Sequence, residues 1–122
     1  MKIHLPFPPS VNNLFPTGKH GKRFKSKKYQ TWLAAAEVEF YLQHCEEQYK
    51  GPFKITILLG KPLNKDGSRS NVRRDLANHE KAVTDFLVAK GVIEDDYLLQ
   101  ELHMAWADIE GCQVTTEEVA EK

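Results

Sequence analysis

The stretch Phe53–Leu59 constrains the fold of this chain more than any other. Phe53, Ile55, Ile57 and Leu59 alternate with Lys54, Thr56 and Leu58, the period-two pattern of a strand with one face on a core. Gly51-Pro52 stops whatever precedes it, and the polar run KPLNKDGSRSN follows as a loop. A half-buried strand needs neighbours in a sheet and a cover for its apolar face. The sequence offers a cover on each side. Before the strand, Tyr29, Trp32, Leu33, Ala36 and Phe40 recur at three- and four-residue steps. That spacing predicts a helix capped by Ser26 and ending near Tyr49. After the strand, Leu76, Val83, Phe86 and Leu87 fall on one side of a second helix. It is predicted to run from Asp75–Leu76 to Ala89 or Lys90, with Gly91 as the left-handed residue beyond its end.

Shorter strands are predicted over Lys2–Leu5, Leu98–Trp106 and Cys112–Thr115, which gives the order β-α-β-α-β-β. The expected fold class is α+β: a two-layer sandwich in which two helices lie on one face of a small mixed or antiparallel sheet. A chain of 122 residues, 41% hydrophobic and 28% charged, suits one soluble domain spanning 1–122. No apolar run is long enough for a membrane span. The opening MKIHLPFPPS lacks the apolar stretch of a secretory leader. Cys45 and Cys112 have no motif spacing, which predicts reduced thiols in a cytoplasmic protein. The five histidines are scattered without helical ligand spacing, which argues against zinc.

Net charge is zero, but the charges are segregated. Residues 1–30 carry seven lysines and arginines and no acid, whereas residues 91–122 carry nine acids and one lysine. A basic contact surface apart from an acidic region would explain this. Solvated loops at both ends explain it equally well.

The segment RRDLANHEKAVTDFL, residues 73–87, concentrates chemistry. Asn78, Lys81 and Asp85 share the helix face away from the apolar side, and Asp75 stands at the helix start. Spacing alone makes Asp75 an N-cap and the other three a solvated face. Glu94, Asp95 and Asp96 then crowd three acids into the next turn. Solvent and counterions could relieve their repulsion; so could Mg²⁺, which takes one or two carboxylates plus water and phosphate oxygens. Asp75 and the Asp95–Asp96 pair bracket the predicted helix, about 30 Å apart at ~1.5 Å per residue. They can share a metal only if the chain folds back or the helix starts later.

Three blocks, PFPPSVNN, RRDLANHEKAVTDFL and GVIEDD, resemble in order and separation the RusA family of Holliday junction resolvases, over most of the chain. That family opens on a Pro-aromatic-Pro-Pro-Ser segment ending in Asn. Its central motif is Asp-x-Asp-Asn-x-x-Lys-x-x-x-Asp, and an Asp-Asp pair follows after a glycine. Here those positions are Asp75, Ala77, Asn78, Lys81 and Asp85, then Asp95 and Asp96. The resemblance implies a Mg²⁺-dependent homodimeric endonuclease of recombination and repair that nicks four-way junction DNA symmetrically, its acids gathered near the dimer axis. It implies catalytic roles for Asp75, Lys81 and Asp96, and metal binding by Asp75, Asp95 and Asp96. It implies DNA contacts from Arg73, Arg74, Asn78 and Asn13, while Lys22, Arg23, Lys25, Lys27 and Lys28 supply salt-dependent backbone contacts. Phe24, in the basic loop, is the aromatic to consider as a wedge at the junction; Trp32 and Trp106 are expected in the core.

Ala77 departs from the pattern, because the family places a second carboxylate there. The expectation is poor or absent cleavage with junction binding retained. Two other readings stand beside it: a non-catalytic, structure-selective junction-binding dimer, and an acidic-tailed interaction module with no nucleic-acid role.

Overall fold

The computed structural model of the chain describes residues 1–15, 24–62, 64–68 and 75–119. Four strands form one mixed sheet in the order β1-β4-β2-β3: β1 (Lys2–Leu5), β2 (Phe53–Gly60), β3 (Leu99–Ala107) and β4 (Cys112–Glu118). β4 runs antiparallel to both β1 and β2, while β3 lies parallel to β2. Parallel neighbours need a crossover, and α2 (Glu80–Ala89) provides it; the other helix is α1 (Lys27–Leu42). The α+β arrangement expected from the sequence is the one observed. Among the described residues, no helix is long and apolar enough to cross a membrane.

The alternation in β2 does what it predicts. Phe53, Ile55, Ile57 and Leu59 are fully buried, and they join Tyr29, Trp32, Ala36 and Phe40 of α1 and Val83, Phe86 and Leu87 of α2 in one core. The helices meet through aromatic edges, with the Phe86 ring T-shaped against both Trp32 and Phe40 at 5.7 Å. A Lys90–Glu37 ion pair at 2.7 Å ties the same two helices at the surface. Cys45 and Cys112 are free thiols, and burial pushes the Cys112 thiol up to about 12.

Helix boundaries follow the capping chemistry with two exceptions. Ser26 caps α1 as expected, its hydroxyl accepting from the Tyr29 N–H at 3.0 Å. Gly91, at φ 75°, supplies the left-handed turn after α2. α1, however, stops at Leu42 rather than near Tyr49. The Gln43 side-chain amide donates to the carbonyls of Glu39 and His4, each at 2.7 Å, and its oxygen accepts from the His4 N–H at 2.6 Å. Gln43 thus ends the helix by pairing with β1 as another strand residue would. Tyr49 turns away to form a parallel bridge with Ile93. α2 begins at Glu80 rather than at Asp75–Leu76, after a 3-10 turn at Leu76–His79.

Gly60 closes β2 where the β3–β4 turn crosses it. A Cβ there would collide with the Ile109 carbonyl oxygen and press on that of Gly111 at 3.2 Å. Both are backbone atoms, so neither can swing aside. Gly60→Ala is expected to destabilise the fold by about 1–3 kcal/mol, read as a lower urea midpoint at unchanged slope.

Candidate active site

The Pro-rich segment after β1 is nailed down by two ring N–H groups. Pro6 and Pro8 carry carbonyls, and a buried carbonyl without a donor is costly. The Trp32 indole Nε1 donates to the Pro6 oxygen at 2.9 Å. His79 Nδ1 lies 2.9 Å from the Pro8 oxygen. A carbonyl only accepts, so Nδ1 carries the proton. The Phe7 ring lies between them, stacked on Trp106 at 6.2 Å and edge-on to His79 at 5.0 Å.

This clamp forms one wall of a hollow of about 410 Å³, lined by Pro8, Ser10, Asn13 and Lys28 on one side and Asp75, Asn78 and His79 on the other. Asn13 is oriented by donating its side-chain amide to Ser10 Oγ at 3.2 Å. Asp75 precedes the 3-10 turn but its side chain makes no capping hydrogen bond. The plain reading of Asp75 as a helix N-cap therefore does not describe it. Its carboxylate is exposed at the rim of the hollow.

A second hollow, about 440 Å³, is lined by Phe15, Phe24, Lys25, Lys81 and Asp85. Lys81 and Asp85 sit one turn apart on α2 and form an ion pair at 3.3 Å, both partly exposed. Phe24 is half exposed beside them.

The acidic turn reaches this side of the molecule because the chain folds back after Gly91 and starts β3 beside Phe53. Asp95 accepts from the Tyr97 N–H at 3.3 Å, and its carboxylate neighbours that of Asp96. Asp96 is accordingly held above the usual carboxylate range: first by the hydrogen bond to Asp95, then by lost solvent and by the negative charges of Asp95 and Asp85, with Lys81 opposing. Asp96 therefore lies within electrostatic reach of Lys81 and Asp85 in mid-helix.

Asp75 stays in the first hollow. Among the described residues, no three His, Cys, Asp or Glu side chains stand together as a metal cage. The donor chemistry nonetheless fits Mg²⁺, since two crowded carboxylates short of positive charge suffice when water and phosphate oxygens complete the shell. Lys22, Arg23, Arg73 and Arg74 lie outside the described residues. Sequence reasoning gave no role to Trp32 or His79 at the site. Their signal is visible only once the Pro6 and Pro8 carbonyls are seen to need donors.

The sequence pattern of the endodeoxyribonuclease RusA family matches residues 6–117. That span takes in both hollows, the acidic turn, β2, β3 and all of β4 but its last residue, and it begins just after β1. This chain belongs to the RusA endodeoxyribonuclease family. Membership implies nuclease action on Holliday junctions, with junction DNA as the partner and a divalent metal as the family's general requirement. Among curated proteins none matches this sequence.

Proposed function

We propose that this chain binds four-way DNA junctions as a homodimer and nicks them with Mg²⁺, at a rate limited by the missing carboxylate at Ala77. The observation that carries the reading is the Asp95–Asp96 pair, which the fold-back after Gly91 sets within reach of Lys81 and Asp85 and whose crowding holds the Asp96 carboxyl above the usual carboxylate range. Asp95 and Asp96 would hold the metal, together with Asp75 if the DNA or the partner copy draws the two hollows together. When bound, Mg²⁺ withdraws charge from the scissile phosphate and lowers the pKa of its water.

The chain's own residues supply the rest. Asp85 holds the Lys81 ammonium at the edge of the second hollow, where it can donate to a phosphate oxygen as negative charge grows there. Asn13 and Asn78 present amides into the first hollow, suited to phosphate or sugar oxygens. Lys25, in the second hollow, adds a salt-sensitive backbone contact. Lys22 and Arg23 of the basic segment, and Arg73 and Arg74 of the basic run before the central motif, would add further backbone contacts. A two-fold dimer would meet the two symmetry-related strands of a junction with two equivalent sites.

Gel shifts with four-way, duplex and single-stranded DNA test the partner. The junction is expected to bind tightest, with affinity falling steeply as salt rises; equal binding to all three would remove the junction reading. Metal binding has its own readout without DNA. At about 10 mM Mg²⁺ and a millimolar Kd, linkage stabilises the fold by about 1.4 kcal/mol, a rise of about 4–5 °C in Tm. The gain is expected to vanish in Asp96→Asn. A rise that survives this substitution would place the metal elsewhere. The non-catalytic reading draws support from Ala77 itself, and it predicts that restoring a carboxylate there leaves cleavage absent.

A further inference from the structure

The sheet has two edges, and they are treated differently. At β1 the outer edge is closed by a side chain: Gln43 both donates to and accepts from the His4 backbone. At β3 nothing comparable is found among the described residues. β3 is nine residues long, more than twice the length of β1. From Leu99 to Ala107 it contains neither the lysine nor the proline that usually discourages pairing. Gln100, Glu101, Leu102 and His103 are all exposed. Leu102 points to the helix side, opposite buried Ile55 across β2, yet remains 41% exposed.

We propose that β3 is where a second copy of this chain docks, its β3 pairing antiparallel with this one about a two-fold axis through Leu102. The inference deepens the dimer of the proposed function and rests on that reading for its purpose, though not for its geometry.

Parity and charge select the register. A two-fold axis normal to a sheet leaves each side chain on its own face, and directly opposed residues must share a face. The axis must therefore pass through a residue rather than between two. An axis through Glu101 would set the two glutamates against each other, and one through His103 would oppose the two histidines. An axis through Leu102 places Glu101 opposite His103 of the partner, twice, on the open face. On the helix face it joins Leu102 to its own copy and extends both cores. A carboxylate facing an imidazole N–H and apolar cross-strand pairs favour a ladder, whereas two carboxylates directly opposed weaken it. Leu102 is the one register in this stretch with both favourable features.

Sedimentation equilibrium of the full chain, without DNA, tests the proposal. All the substituted residues are exposed, so the variants should fold, and circular dichroism checks that they do. Wild type is expected to be dimeric. Glu101→Arg and His103→Glu are each expected to raise the dimer dissociation constant about tenfold, since the first removes the carboxylate opposite each imidazole and the second sets two carboxylates against each other. The double variant restores opposite charges and is expected to return to within about threefold of wild type. A monomeric wild type, single variants that associate normally, or a double variant weaker than either single would each overturn it. So would dissociation by Val38→Asp on the exposed outer face of α1 with the β3 variants silent, which would move the interface there. Junction gel shifts on the same samples keep the two ideas apart. A dimer that follows the charge pattern but ignores junctions would sink the function alone, and junction binding by a dimer insensitive to β3 would sink this inference alone.

Discussion

Ala77→Asp is expected to raise the nicking of a synthetic four-way junction in Mg²⁺ by about a hundredfold, or about 2.7 kcal/mol of barrier. Ala77 is exposed in the 3-10 turn between Asp75 and Asn78, so a carboxylate there meets no steric obstacle. It would stand two residues from Asp75 and next to Asn78, both of which line the first hollow. That hollow now offers Mg²⁺ a single carboxylate, and the other two wait on the acidic turn. A second carboxylate beside Asp75 would give that hollow two acidic ligands for a divalent ion, as many as the acidic turn offers. Loss of even an outer-shell metal partner costs about 10–100-fold in affinity or activity, and a direct ligand is expected to matter at least as much. Without metal the same substitution should weaken junction binding a few-fold, because a new negative charge then faces phosphate. Ala77→Asn controls for size and should gain nothing. Nicking that stays at the Ala77 level would mean the lesion lies elsewhere and would favour the non-catalytic binder.

The elements themselves were legible because each rests on a local rule. The β2 alternation, the Ser26 cap and the Gly91 turn are properties of a few consecutive residues, and all three are observed. What was not legible depends on residues far away in sequence. α1 ends early because Gln43 bonds to His4, 39 positions distant. The first turn of α2 is 3-10 because His79 reaches Pro8, 71 positions distant; the poor helix formers Asn78 and His79 offer little resistance. The site divides along the same line. The helical spacing set Lys81 and Asp85 on one face, and on that face the two form an ion pair. The fold-back that brings Asp96 toward them follows from β3 pairing with Phe53, which no local pattern encodes. Asp75 illustrates the opposite error, since its position looked like a cap while its side chain makes no capping bond.

Phe86→Ala is expected to destabilise the fold by about 3–5 kcal/mol, a large share of the 5–15 kcal/mol or so that holds a typical domain together. Phe86 is 2% exposed and is the residue through which α2 grips α1. Its ring meets Trp32 and Phe40 edge-on, and the Lys90 ammonium lies 5.8 Å over it. Truncation removes these contacts and leaves a cavity between two helices that cannot close it without shifting α2 on the sheet. For a chain of this size the Tm should fall by about 10–20 °C. Phe86→Leu keeps most of the volume and should cost less than about 1.5 kcal/mol. Lys81 and Asp85 lie on the outer side of the same helix, so junction affinity measured well below the melting range should change little in either variant. A Phe86→Ala protein that melts with wild type would mean that α2 is held in place by something other than this aromatic contact. Normal melting with lost junction binding would instead place Phe86 in the DNA site.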